Sequence, residues 1–361
     1  MKVHQHIFPS VASPEHLFRA WEEFRKGKQA RPDVQAFAWN LEENIFQLSR
    51  DLLDGSYHHG PYSAFMIQDP KQRQIHKATV RDRIVHHAVF AALNPIFEPG
   101  FIVHSFSCRR GKGTHKGVDT LERMLRSASR NHTDRCFALK CDIHRFFASV
   151  DHGILLALLA QRIEDRAMME LLSLIIEGFC VTHGNGIPIG NLTSQLFANV
   201  SLHELDHFIK HTLRIKPYIR YTDDFVIVDR DEHLLRSLLI PIEDFLQQRL
   251  SLSLHPHKVT IHKYRQGIDF LGYVLLPHYR RLRTKTKRRI FRSAQRNGTP
   301  QSLQSHLGVL SHANTYRLSQ KLRNHFWLWM GRAHGICILA ASRHFCDRGL
   351  PGVSFKNSPF V

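Results

Sequence analysis

Apolar residues recur along this chain in two periods, and the switches between them outline its elements. Residues 13–28 open with Ser13-Pro14-Glu15, a capping serine with proline at the first helical position, and predict a helix. Asp33 opens a second, with Val34, Phe37, Leu41, Ile45, Leu48 and Leu52 at helical spacing. Core packing is the expected role of both. After Asp54-Gly55 the pattern becomes mixed. Phe65-Met66-Ile67 predicts a strand, Asp69-Pro70-Lys71-Gln72-Arg73 a basic turn, and Val80, Ile84, Val85, Ala88 and Val89 a further helix.

Residues 136–143 alternate strictly, with Phe137, Leu139, Cys141 and Ile143 on one face and Ala138, Lys140 and Asp142 on the other. A strand here delivers Asp142 to its open face. Phe146-Phe147 follow, and a helix from about Asp151 carries the apolar run 154–160. The turn-rich loop 184–190 feeds a long helix holding Thr193, Ser194, Gln195, Phe197, Val200 and Leu205. Residues 218–228 are two β-rich runs joined by a polar tight turn, a hairpin signal, and that turn holds Asp223 and Asp224. A helix over 234–250, a segment around Lys258 and the apolar Phe270-Leu271-Gly272-Tyr273 run come next. From about Lys285 the pattern is helical and basic, with Leu307, Leu310, Leu318, Leu322 and Phe326 spaced for a small bundle that forms a third unit.

Composition narrows the class. The 361 residues are 43% hydrophobic and 22% charged, which excludes disorder, and no apolar run approaches the ~18 residues of a membrane span. A soluble protein with no membrane partner is expected. The net charge of +19 is localised: residues 271–361 hold 16 Lys and Arg against the single Asp347, whereas the preceding 270 residues are nearly balanced. A one-sign block of this length points to a polyanion, nucleic acid before membrane. The six cysteines form no Cys-x-x-Cys pair and the start Met1-Lys2-Val3-His4-Gln5-His6 has no apolar signal core, so reduced thiols in a cytoplasm are expected. The 27 histidines fall in no metal-ligand spacing and read as structural or surface residues.

Adjacent aspartates at a hairpin tip repel each other and have no packing rationale, so a bound divalent cation, magnesium first, is the natural compensation. An Asp-Asp pair also occurs in solvated turns. Asp142 changes the balance, because it stands at a strand end 81 residues upstream, where a two-metal phosphoryl-transfer site needs a third carboxylate from a neighbouring strand.

At this point the chain resembles the reverse transcriptases, over nearly its whole length and through motifs in the family's order. They are Asp142-Ile143-His144-Arg145-Phe146-Phe147, Ile189-Gly190-Asn191-Leu192-Thr193-Ser194-Gln195, Tyr221-Thr222-Asp223-Asp224 and Phe270-Leu271-Gly272. The resemblance implies an α+β right-hand polymerase fold with fingers, a palm built on an antiparallel sheet, and a helical thumb. Its parts would be an N-terminal helical segment (1–60), fingers (61–135), palm (136–278) and basic thumb (279–361). It makes Asp142 and Asp223 ligands of two magnesium ions, for which manganese can substitute, with Asp224 completing the acidic cluster and Ile143 among the metal positions. Lys258 joins the catalytic set as the general acid toward pyrophosphate, or is a surface lysine. Lys71 and Arg73 would grip the incoming deoxynucleoside triphosphate, or form an ordinary basic turn. Phe147 matches the steric gate that excludes a 2′-hydroxyl, with core packing its alternative. Ile189 and Gly190 complete the nucleotide site. Residues 105–115, with Arg109, Arg110 and Lys112, would contact template, as would Gln195, Gly272, Arg281, Lys285, Lys287 and Arg288.

Most reverse transcriptases place Gln where Ile189 stands and end that motif in Ser-Pro rather than Ser194-Gln195. The departure, with the 188–206 and 308–316 stretches, is similar to the enzymes of diversity-generating retroelements. That group implies error-prone copying of a template RNA into cDNA, with a small basic accessory variability protein as partner. The alternatives are another bacterial reverse transcriptase, defence-associated or group II intron-like, and a catalytically silent RNA-binding scaffold. A group II type is expected to carry maturase and endonuclease extensions for which the chain ends too early. The intact Asp142, Asp223 and Asp224 argue against the scaffold.

Overall fold

The computed structural model describes residues 2–68, 72–296 and 299–333. Its residues fall into two units, Met1–Tyr279 and the part from Arg280 on. The first opens with helices α1 (Phe8–Ala12), α2 (Pro14–Arg25), α3 (Pro32–Trp39) and α4 (Leu41–Leu53). Ser13 caps α2 by accepting from the His16 amide at 3.3 Å, as the Ser-Pro-Glu start predicts. The single helix expected from Asp33 is instead two, broken at Asn40, where the backbone leaves helical geometry (φ −118°, ψ 48°). The apolar spacing runs through the break, so the pattern could not reveal it.

Strands β1 (Ser63–Ile67) and β2 (Arg73–Lys77) form an exposed antiparallel hairpin, with Phe65 opposite Ile75 and Ile67 opposite Arg73. Part of the basic turn predicted there is thus a strand. Helix α5 (Val80–Phe97), capped by Thr79, packs on α2 and runs through the core, and α6 (Thr114–Ala128) follows. The centre of the unit is a four-stranded antiparallel sheet in the order β4-β5-β3-β6, from β3 (Phe137–Asp142), β4 (Tyr218–Tyr221), β5 (Asp224–Asp229) and β6 (Thr260–Lys263). Between β3 and β4 the chain forms α7 (Phe146–Ser149), α8 (His152–Ala160), α9 (Arg166–Glu177) and α10 (Leu192–His207).

Leu139, Cys141, Phe225 and Ile227 turn to the main core. The opposite face carries Ala138, Val226 and Val228, all essentially without solvent exposure, and α6 packs on β4 and β5. That face is therefore not open along its length, and Asp142 itself keeps only 8% exposure. After β5 the expected helix over 234–250 is split into α11 (Glu232–Ser237) and α12 (Leu239–Leu250). Strands β7 (Ile268–Phe270) and β8 (Tyr273–Leu276) pair through the Leu271-Gly272 turn, whose φ values of +48° and +89° are what a tight hairpin requires.

The unit boundary falls inside β9 (Tyr279–Leu282). The second unit holds α13 (Thr284–Arg296), α14 (Pro300–Ser311) and α15 (Tyr316–Ala333), packed on one another around Ile290, Ala294, Leu310, Leu322 and Phe326. The residues after 333, part of the expected thumb, lie outside the described residues. Among the described residues no helix is long and apolar enough to cross a membrane.

Candidate active site

The sheet register builds the site. Asp142 ends β3 and is the direct Cα partner of Asp224, the first residue of β5. Asp223 occupies the tip between β4 and β5, and its backbone carbonyl accepts from the Ile143 amide at 3.2 Å. One ladder thus brings Asp142 to the Asp223-Asp224 pair 81 residues further along the chain. Like charges placed opposite each other in a sheet are unfavourable, and the structure answers with cations. Lys258 Nζ donates to Asp142 Oδ1 at 2.7 Å, and Lys140 Nζ lies 3.9 Å from Asp224 Oδ1. The His255 amide closes on the Asp142 carbonyl at 2.7 Å, which brings the Lys258 segment to β3.

The Asp223 carboxyl is pushed up to about 6. Burial is the main cause and the charges of Asp224 and Asp142 add to it, while Arg73 opposes the shift. A divalent cation would relieve this repulsion, and the oxygen-only donor chemistry of the three aspartates fits a hard ion such as magnesium. Among the described residues no group of three His, Cys, Asp or Glu side chains is already gathered to hold an ion. The Asp142 carboxylate is turned to the Lys258 ammonium instead. Ile143 has a buried apolar side chain at 1% exposure, so only its backbone carbonyl could serve an ion.

Around the acids, Arg73 begins β2 and is near enough to act on the Asp223 charge. Lys71 lies outside the described residues. Gly190 meets the same hairpin from the other side: at φ +117°, a Cβ there would fall 2.7 Å from Ile75 Cγ2, so only glycine fits. The half-buried Ile189 accepts from the His76 amide at 3.0 Å. Asn191 Nδ2 donates to the His76 carbonyl at 3.3 Å. The 189–191 stretch and the β1–β2 hairpin are therefore one assembly. Phe147 is half-buried, edge-on to Phe146 with centroids 5.4 Å apart, and its carbonyl accepts from the Ile187 amide at 2.7 Å. Gln195 is half-buried on α10, and Gly272 occupies the β7–β8 turn.

The template contacts expected in 105–115 divide. Arg109 is turned inward: it pairs with Glu98 at 2.8 Å and donates to the Ile102 and Ser105 carbonyls at 2.6 and 3.0 Å. A guanidinium so engaged organises its own loop, so its expected role as a template contact is corrected to a structural one. Lys112 donates to the Val103 carbonyl at 2.7 Å and covers the Phe106 ring, while Arg110 is exposed. In the second unit Arg281, Lys285, Lys287 and Arg288 are all exposed.

Sequence reasoning missed the fully buried Arg220–Asp206 pair beside the Asp223 turn, at 2.7 Å. Its signal was available: Arg220 is a charged residue inside the strongest β-run of the chain.

A sheet that presents two strand-borne acids against a third defines a nucleic-acid polymerase fold. Residues 68–275 match the model of the reverse transcriptase (RNA-dependent DNA polymerase) family, and the chain belongs to that family. It is similar to protein YkfC of Escherichia coli K12, at 27% identity over 273 residues, 64% of this chain and 71% of YkfC. It is also similar to the group II intron-encoded protein LtrA of Lactococcus lactis, at 29% identity over 303 residues, 64% of this chain and 49% of LtrA. The putative COX1/OXI3 intron 2 protein of Saccharomyces cerevisiae is 20% identical over 357 residues, 80% of this chain and 40% of that protein. The chain thus spans about half or less of these two intron proteins.

Proposed function

We propose that this chain copies a template RNA into cDNA by nucleotidyl transfer at Asp142, Asp223 and Asp224, and that it does so as the polymerase of a diversity-generating retroelement. The observation that carries the polymerase reading is the Asp142–Asp224 register, with Asp223 repelled by both neighbours. Two magnesium ions, or manganese in their place, held by the aspartates with the Ile143 carbonyl beside them, would activate the primer 3′-hydroxyl and neutralise the triphosphate. The chain's own residues do the rest. Arg73, with Lys71, holds the triphosphate of the incoming deoxynucleotide, Arg being suited to paired phosphate contacts. Lys258 moves from Asp142 to the departing pyrophosphate and gives it a proton. Phe147 closes the space a 2′-hydroxyl would need. Ile189 and Gly190 shape the base-pair pocket. Arg110, Lys112, Gln195, Gly272 and the exposed Arg281, Lys285, Lys287 and Arg288 hold the RNA/cDNA duplex.

The retroelement assignment is supported by Ile189-Gly190 and Ser194-Gln195, and it brings the small basic accessory variability protein as partner. The free thiols of Cys108, Cys136, Cys141 and Cys180 support a reducing cytoplasm. Similarity to LtrA favours a second reading, a group II intron-like polymerase. Primer extension on an RNA template with magnesium tests the activity: wild type should extend and Asp142→Asn should not. An inert wild type that binds RNA would be the silent scaffold. Error frequency opposite template adenines separates the two lineages, high for the retroelement enzyme and ordinary for the intron-like one.

A further inference from the structure

Under the catalytic turn, Arg220 and Asp206 are both without solvent exposure. Arg220 Nε and Nη2 donate to the two Asp206 oxygens at 2.7 Å each, and the Tyr218 hydroxyl donates to the same carboxylate at 2.7 Å. A buried pair of this kind is weak evidence for stability, since desolvation offsets most of the attraction. What singles it out is the nitrogen left over. Arg220 Nη1 donates to the Thr222 carbonyl at 3.1 Å, with Asn199 Oδ1 at 3.4 Å.

Thr222 is strained: its φ is +54°, in the left-handed region that β-branched residues avoid. A second bond holds it there, from Thr222 Oγ1 to Ser107 Oγ at 2.6 Å, and Asn199 Nδ2 donates to the Ser107 carbonyl at 3.1 Å. The next residue is Asp223, whose backbone is tied to Ile143 beside Asp142. Were the Thr222–Asp223 peptide to relax, that tie and the separation of the acids would change with it.

We propose that Arg220 is a positioning residue of the active site: anchored by Asp206, it holds the Thr222 carbonyl, keeps the turn in its strained conformation with the help of Ser107, and so fixes Asp223 against Asp142. This rests on the polymerase reading of the three aspartates. It concerns only their preorganisation, because Arg220 touches neither substrate nor reacting atoms.

The test uses the full chain and three measurements: Mn2+ titration by electron paramagnetic resonance without substrate, single-nucleotide incorporation, and thermal melting. Arg220→Lys keeps the charge opposite Asp206 but cannot supply both the paired contact and the Thr222 bond. It should weaken Mn2+ binding and lower kcat about 10- to 100-fold, with KM for the nucleotide within about twofold. Adding Thr222→Asn, whose side-chain amide can still bond Ser107 Oγ and whose backbone adopts positive φ more readily, should recover kcat at least about threefold without restoring the melting temperature. Unchanged Mn2+ affinity in folded Arg220→Lys, or a loss that merely follows the folded fraction with no recovery, would overturn the proposal. Should Arg220→Lys not fold, Ser107→Ala leaves the ion pair intact and should still lower kcat and Mn2+ affinity about 3- to 10-fold; no change in either overturns the role. A wild type that binds Mn2+ yet extends no primer refutes the polymerase reading instead, and the Mn2+ titration still decides the role of Arg220.

Discussion

Asp142 and Asp224 face each other as Cα partners across the β3–β5 ladder, with Lys258 Nζ 2.7 Å from Asp142 and Lys140 Nζ 3.9 Å from Asp224. An antiparallel sheet gains nothing from two carboxylates at one rung. Burial first, and then the charges of Asp224 and Asp142, raise the Asp223 carboxyl to about 6. A divalent cation would relieve this repulsion.

The first prediction follows from that shift. A carboxyl whose folded pKa lies above its unfolded value of ~3.9 favours folding while it is protonated, and the benefit disappears as pH rises from about 4 to 6. At pH 7.5, in EDTA, ionised Asp223 should therefore oppose folding by about 1 to 3 kcal/mol. Asp223→Asn should melt ~2–6 °C above wild type there, with the gap closing near pH 4. Magnesium should raise the wild-type melting temperature and leave that of the variant unchanged, and the variant should extend no primer. A variant less stable than wild type at pH 7.5 would contradict the repulsion.

The geometry pairs Lys258 with Asp142, and the proposed function adds a second task, to reach pyrophosphate, which alone needs a transferable proton. Lys258→Arg keeps the ion pair and cannot act as an acid, whereas Lys258→Met loses both functions. Incorporation at saturating nucleotide should fall about 100-fold or more in both. Full activity in Lys258→Arg would reduce the residue to a counterion.

Phe147 lies half-buried against Phe146, so truncation removes some packing as well as the proposed gate. Phe147→Ala should admit ribonucleotides, read as the ratio of kcat/KM for a ribonucleotide and its deoxy counterpart, while stability drops by about 1 to 3 kcal/mol. Loss of stability with an unchanged ratio would leave Phe147 as a packing residue.

The basic second unit offers a test that needs no chemistry. Neutralising Arg281, Lys285, Lys287 and Arg288, all exposed, should weaken RNA binding and flatten its salt dependence by roughly 0.7 to 0.9 per lost phosphate contact. An unchanged slope in a filter-binding series would make this a solvated surface.

How much of this was legible beforehand depended on the range of the interaction. Strand β3 and the Asp223-Asp224 hairpin were readable because alternation and turn chemistry are local, and the acids lie on those elements. The break at Asn40 was not, because no proline or glycine marks it and the apolar spacing continues across it, whereas the one between α11 and α12 had a local signal in Pro241, which has no amide to bond the Ser237 carbonyl. Arg109 reads as a polyanion contact from its glycine-flanked basic loop; only the tertiary approach of Glu98 turns it inward. The Arg220–Asp206 pair joins a strand to a helix end, and no local periodicity encodes such a partnership.

The remaining prediction concerns Ile189, where the chain departs from the glutamine that most reverse transcriptases carry. Its backbone is fixed by the His76 amide at 3.0 Å, and Gly190 beside it is locked against Ile75, so a new side chain would not displace the loop. The side chain is half-buried, which leaves an amide access to water or to the nucleotide and avoids the full penalty of about 1 to 3 kcal/mol for an unpaired buried group. A buried acceptor is also at hand in the next residue but one: Asn191 Oδ1 has no hydrogen-bond partner among the described residues. Ile189→Gln should therefore lower misincorporation opposite template adenines by about two- to tenfold, the worth of one hydrogen bond of ~0.5 to 1.5 kcal/mol, with correct incorporation retained. Single-nucleotide incorporation on templates differing only at the templating base reads both quantities. An error ratio at adenine identical to wild type would remove Ile189 from the fidelity argument, and a fall in correct incorporation would mean that the pocket closes over the amide and leaves it unpaired.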